Sequence, residues 1–188
     1  MRSVCFLFLF ILTGCVTPQQ DKQPRAWLKP GVSVILPSPG LDVPVSEQQL
    51  LTANVKGKSY SLVALLDADK EQLTLAGLSS LGIRLFLLHY DKDGIRTEQS
   101  VMLPEIPPAE QVLSDIMLSY WPVARWEPQL PQGWTLTDNG DQRELRDEQK
   151  QIVSLITYSN AQGARIPVQI DNQIFSYQII ISHLETTP

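Results

Sequence analysis

Between Gln48 and Leu103 the chain repeats one pattern five times. Apolar-rich segments of strand length, "QQLLTANVKG", "KSYSLVALLDAD", "QLTLAGL", "GIRLFLLHY" and "IRTEQSVML", follow one another with only a few turn residues between them. Lys56-Gly57 is a two-residue hairpin signal. "DADKE", "SSLG" and "DKDG" are the other breaks, rich in the residues that favour turns. A parallel crossover needs about a dozen residues or more. None of these gaps has them, so the five strands form an antiparallel meander.

The period then changes. "PPAEQVLSDIMLSYWP" puts Ala109, Val112, Leu113, Ile116, Met117 and Tyr120 at helical spacing. Two prolines open this helix and Pro122 ends it. "ARWEPQLPQGW" is irregular and aromatic. A turn at Asn139-Gly140 comes before three more strands, "QIVSLITYS", "ARIPVQID" and "QIFSYQIIISHL". In the last, Phe175, Tyr177, Ile179 and Ile181 alternate with polar residues, as expected of a sheet with one buried face. Upstream, Pro24 to Pro44 holds five prolines and reads as a coil along the domain, with Trp27 and the stretch Val32 to Leu36 packed down. The fold class expected is mainly β with helices: about eight strands in a strongly curved antiparallel sheet. The apolar stripe of the helix has to be covered, and the concave face of the sheet can cover it. Sheets of this kind can enclose an apolar cavity.

The chain has 188 residues, room for one domain, and 43% of them are hydrophobic, enough for a core. Its 15 basic and 20 acidic residues leave a formal charge of −5 without a basic block, which argues against nucleic-acid binding. His89 and His183 are the two histidines, and no G-x-S-x-G nucleophile motif accompanies them. Both are expected at strand ends as polar surface groups, and no enzyme activity is expected. A weak esterase would need a serine close to one of them in a cleft. "DADKE" and "DKDG" space carboxylates as calcium loops do, but "DKDGIRTEQSVM" lacks the glutamate an EF-hand needs at its end. They are read as solvated turns. Neither a metal site nor a cofactor is expected.

The amino terminus, "MRSVCFLFLFILTGC", carries Arg2 and then an apolar run too short to span a bilayer. "LTGC", Leu12 to Cys15, resembles a bacterial lipobox. That resemblance implies removal of residues 1–14 as a signal peptide and acylation of Cys15. Several acyl chains at about 0.8 kcal/mol per buried CH₂ would anchor the chain firmly. Residues 15–24 then form the lipidated terminus and tether, and residues 25–188 a single domain. Cys5 leaves with the signal, so no disulfide is expected. Val16 stands where lipoproteins retained at the inner membrane usually carry Asp. Similarity to sorting signals therefore points to the periplasmic face of the outer membrane.

From about Gln49 to Leu184 the order of motifs is similar to LolB, an outer-membrane lipoprotein receptor, and more distantly to the periplasmic carrier LolA. The shared features are the "SSLG" tip, the strand "IRLFLL", a helix led by Ala109 and Glu110 and ending near Pro122 and Val123, the Leu-Pro-x-Gly-Trp region, "ITYS", and a strand holding Pro167. The resemblance implies a half-open β-barrel of LolA/LolB type with a helical lid. Its cavity would take acyl chains, or a lipidated cargo handed over by a LolA-like carrier, for delivery to the outer membrane. The chain would act as a monomer. Leu81 matches the exposed tip leucine that acts in membrane insertion in that family; the other reading folds Leu81 back on the barrel rim. Val112, Leu113, Ile116, Met117, Tyr120 and Trp121 would line the cavity under the lid, or simply pack as core. Trp121, Trp126 and Trp134 are read as cavity-mouth residues, membrane-surface anchors or core. Two positions depart from LolB: Ser80 replaces a usual Pro, and Leu65, Leu66 and Asp67 stand where LolB has a Trp region. The chain resembles more closely the LolB-like lipoproteins found beside aryl-polyene lipid synthesis genes in some gamma-proteobacteria. A different class of function also fits the pattern: an assembly lipoprotein with a filled β scaffold that binds a protein partner.

Overall fold

The computed structural model describes residues 23–99, 107–161 and 163–184. Cys15, the expected signal segment and nearly all of the tether lie outside the described residues. Among the described residues there are twelve strands and two short helices. β1 (Arg25–Lys29) and β2 (Val32–Ile35) form a separate hairpin. β3 (Val45–Val55), β4 (Lys58–Ala68), β5 (Leu73–Leu78), β6 (Arg84–Asp91) and β7 (Gly94–Gln99) are the expected five-stranded meander. α1 (Ala109–Tyr120), α2 (Val123–Trp126) and one 3-10 turn (Glu127–Gln129) follow. β8 (Thr135–Asp138), β9 (Gln142–Arg146), β10 (Ile152–Ala161), β11 (Ala164–Asn172) and β12 (Tyr177–His183) make a second meander.

Ten strands join in one antiparallel sheet, in the order β7-β6-β5-β4-β3-β12-β11-β10-β9-β8. The sheet is not closed: β7 and β8 are its two edges. The seam between the meanders is β3 against β12, from Tyr177 opposite Val55 to His183 opposite Gln49. The Lys56-Gly57 turn has φ of 49° and 79°, the left-handed pair that a two-residue hairpin matched to strand twist requires. Side chains alternate. Leu62, Ala64 and Leu66 of β4, Leu73 and Leu75 of β5, and Phe86, Leu88 and Tyr90 of β6 share one face, in register across the strands.

That face is curved around α1. The helix touches both β7 and β11, six strand spacings apart, or about 29 Å on a flat sheet. Twelve helical residues reach only about 18 Å, so the sheet bends to meet both. Gly77 sits directly opposite Phe86. A Cβ at Gly77 would run into the Phe86 ring, so the glycine lets the aromatic lie across the strand.

The terminus of α1 is held by distant side chains. Helix ends leave carbonyls unpaired. Here Arg143 of β9 donates Nη1 to Leu118 O at 2.7 Å and to Trp121 O at 2.8 Å. Tyr158 Oη of β10 donates to Ser119 O at 2.7 Å, and Trp126 Nε1 to Met117 O at 3.1 Å. Arg143 also pairs with Asp138 at 2.8 Å. A cation at a helix C-terminus is favourable, and this one is buried with its donors used.

Two expectations change here. The segment from Pro24 to Pro44 is not all coil, because Pro30-Gly31 turns β1 back on β2, with Gly31 at φ 80°. Ala26 and Leu28 then point inward and Trp27 points out, 53% exposed. Val34 and Leu36 are buried as expected. The sheet also holds ten strands, not eight, because Asn139-Gly140 joins two short strands. The elements together have an unbroken core from Ala26 to Ile181, so a chain starting at Val16 keeps every one of them.

Replacing Arg143 with Met should lower unfolding stability by about 3 kcal/mol, since it orphans two helix carbonyls and part of a buried ion pair. A urea titration of both proteins followed by circular dichroism measures the difference.

Candidate functional site

Between α1 and the concave face of the sheet lies a cavity of about 540 Å³. That size is inside the ~300–1,000 Å³ range of small-molecule sites. β3 contributes Leu51, Ala53 and Val55; β12 contributes Tyr177, Ile179 and Ile181. Leu62 and Ala64 of β4, Leu75 of β5, Phe86 of β6 and Ile170 of β11 complete the sheet wall. These residues face one way because the strands pair in register, Leu51 lying between Leu62 and Ile181. A recess of about 250 Å³ adjoins it, sharing Phe86, Pro107 and Val112.

The helix wall is Val112, Asp115, Ile116, Ser119 and Tyr120, spaced as one helical face. Three of the six expected cavity residues are therefore in place: Val112, Ile116 and Tyr120. Leu113, Met117 and Trp121 are not. They form the neighbouring stripe, fully buried in the core. Apolar spacing marks the residues that are covered, and α1 is covered on more than one side, since β1 also packs against it. Trp126 and Trp134 are buried as well, and neither lines the cavity. All three tryptophans follow the core reading.

Asp115 did not stand out in the sequence. It is 5% exposed within this apolar wall. Tyr177 Oη donates to its Oδ2 at 2.6 Å. Asn172 Nδ2 donates to Tyr177 Oη at 3.2 Å, and the Asn172 amide is fixed because its Oδ1 accepts the N–H groups of Ile174 and Phe175. Burial pushes the Asp115 carboxyl up to about 7, opposed by the Tyr177 hydrogen bond. Burial, then the adjacent Asp115, also raises Tyr177, which stays a phenol. A second polar contact joins Gln49 Nε2 to Tyr120 Oη at 2.7 Å. The signal in the sequence was the i, i+3, i+4 spacing of Val112, Asp115 and Ile116: a carboxylate on an apolar face.

Leu81 is 84% exposed and Ile83 58%. The tip is tightly built. Ser79 N donates to Ile83 O, and Ser79 Oγ accepts the N–H groups of Leu81 and Ile83. Leu81 thus stands out from the rim instead of folding onto it. The histidines lie away from the cavity. His89 sits between Thr74 Oγ1 at 3.1 Å and Asp91 Oδ2 at 3.2 Å, and none of the three lines either cavity. His183 lies between Glu47 and the Pro167 carbonyl. Asp69 accepts the backbone N–H groups of Glu71 and Gln72, and Asp91 that of Asp93, the uses of turn carboxylates. Among the described residues no helix is long and apolar enough to cross a membrane.

Residues 46–185 match the model of a family described as "Protein of unknown function (DUF3261)". No curated protein matches the chain. Among solved structures the chain is similar to the crystal structure of a DUF1329 family protein from Desulfovibrio piger. The identity is 10% over 74% of this chain and 83% of that one, with a TM-score of 0.34.

A carboxyl whose folded value is raised stabilises the fold fully below its unfolded value and loses that contribution as pH rises through the folded one. For Asp115 the window runs from 3.8 to about 7. Wild-type stability relative to Asp115→Asn should therefore fall between about pH 4 and pH 7, by at most about 1.4 kcal/mol per pH unit. Urea titrations of both proteins across that range test this; a constant difference refutes it.

Proposed function

The chain belongs to the DUF3261 family, and we propose that it is a lipid-binding protein anchored in the outer membrane through acylated Cys15, which takes up acyl chains or a lipidated cargo and delivers them to that membrane. The observation that carries this reading is the open apolar cavity of about 540 Å³ between α1 and the sheet. An extended apolar chain gains about 25 cal/mol for each Å² it buries, before the costs of association. The half-open arrangement, with α1 as a lid over a curved sheet, agrees with the LolA/LolB-like architecture that the motif order suggested. On this reading the protein is not an enzyme, works as a monomer, and receives its cargo from a LolA-like carrier. A polyene lipid is one such cargo.

Leu81 supports the delivery half. A hydrogen-bonded tip with Leu81 and Ile83 exposed can enter the acyl boundary of a bilayer to which the domain is tethered. The alternative, a scaffold with a filled interior that binds a protein partner, gives no role to the cavity.

The test uses the soluble chain from Val16 onward. Native mass spectrometry and solvent extraction should find a bound chain, and a fluorescent fatty acid should be taken up. Ile116→Lys should reduce that uptake at least tenfold, while Met117→Leu, outside the cavity, leaves it unchanged, on the scale of ~1.4 kcal/mol per tenfold. A ligand-free mass with no uptake would overturn the reading. Leu81→Glu should leave uptake intact and slow transfer of the bound probe to vesicles; equal transfer rates would remove Leu81 from delivery.

A further inference from the structure

Three buried side-chain polar atoms have no partner among the described residues: Ser114 Oγ, Asp115 Oδ1 and Ser154 Oγ. Of these residues only Asp115 lines the cavity. Buried polar groups are nearly always paired, so an unpartnered carboxyl oxygen on a residue of the cavity wall calls for a partner.

The hydrogen-bond chain fixes what that partner must be. Asn172 can only donate to Tyr177, since its carbonyl is taken by two backbone N–H groups. Tyr177 then gives its own proton to Asp115 Oδ2. Oδ2 is thereby the accepting, carbonyl-like oxygen. Below about pH 7, the value to which burial raises it, Asp115 is the neutral acid, and with Oδ2 accepting from Tyr177 its proton is on Oδ1. The orphan is an O–H donor in an apolar chamber.

We propose that Asp115 is a specificity residue that donates Oδ1–H to a carbonyl oxygen of the bound chain, so that the site selects acyl esters or amides over plain hydrocarbon or alcohol. This inference rests on the lipid-binding reading and narrows it: the ligand enters with its carbonyl next to the chain, and that carbonyl stops beside Asp115 and Tyr177. Esters and N-acyl amides share this chemistry.

The test is displacement of a bound fluorescent apolar probe, 1-N-phenylnaphthylamine, from the chain starting at Val16. The competitors are dodecane, lauryl alcohol and methyl laurate. Methyl laurate should compete about tenfold better than dodecane, the scale of one buried hydrogen bond otherwise unmade. Asp115→Asn presents an amide N–H at the same place and should keep the preference. Asp115→Leu should lose the preference for methyl laurate over dodecane. The ester carbonyl stretch of bound methyl laurate, read by infrared, should move to lower frequency in wild type; this needs no variant to fold. Equal binding of dodecane and methyl laurate, or an unshifted carbonyl, overturns the anchor and leaves the cavity reading standing. A preference for lauryl alcohol overturns the carbonyl assignment. Failure of wild type to bind even the fluorescent probe overturns the lipid-binding reading, and the anchor with it.

Discussion

The pairing of β3 with β12 joins strands that lie more than a hundred residues apart in the chain. Each meander alone is an open sheet with one apolar face. Joined at this seam they present one continuous wall, with Leu51, Ala53 and Val55 on one side of the join and Tyr177, Ile179 and Ile181 on the other. The register matters as much as the pairing. A slip of one residue would send these side chains to solvent and bring Leu50 and Ile180, now among the exposed apolar residues, to the inside. The cavity is thus a product of a long-range contact, and neither half of the chain forms it.

The helix completes the chamber because its rotation is set from outside. Arg143 and Tyr158, on β9 and β10, hold the last carbonyls of α1, and Tyr177 holds Asp115 in its middle. These bonds reach from three strands of the second meander. They turn Val112, Ile116 and Tyr120 toward the cavity and leave Leu113, Met117 and Trp121 in the packed core. Within the cavity wall, Tyr177 is tied to the Asp115 side chain of α1, and the Phe86 ring lies against Gly77.

On the proposed lipid-binding reading, the polar and apolar parts of the molecule divide the work: apolar burial would supply affinity without direction, and the unpartnered Asp115 oxygen would add direction. On the outer rim a different logic holds: Leu81 and Ile83 are exposed on a turn closed by hydrogen bonds from Ser79 N to Ile83 O, from Gly82 N to Ser79 O, and from the Leu81 and Ile83 N–H groups to Ser79 Oγ.

By itself the sequence determined eight of the ten strands of the sheet, the turns between them and the span of α1. These follow from local rules: period-two alternation, left-handed turn positions such as Lys56-Gly57, and prolines on either side of a helical stripe. It also carried, unread, the β1–β2 hairpin, whose Pro-Gly turn was hidden among other prolines. Tertiary structure alone decided which stripe of α1 faces the cavity, that the apolar face is left partly unfilled, and that Asp115 lies inside it. The reason is physical. Local periodicity encodes which residues leave water, but not what replaces the water. That depends on the β3–β12 register and on side chains from β9, β10 and β12 that no local pattern connects to the helix.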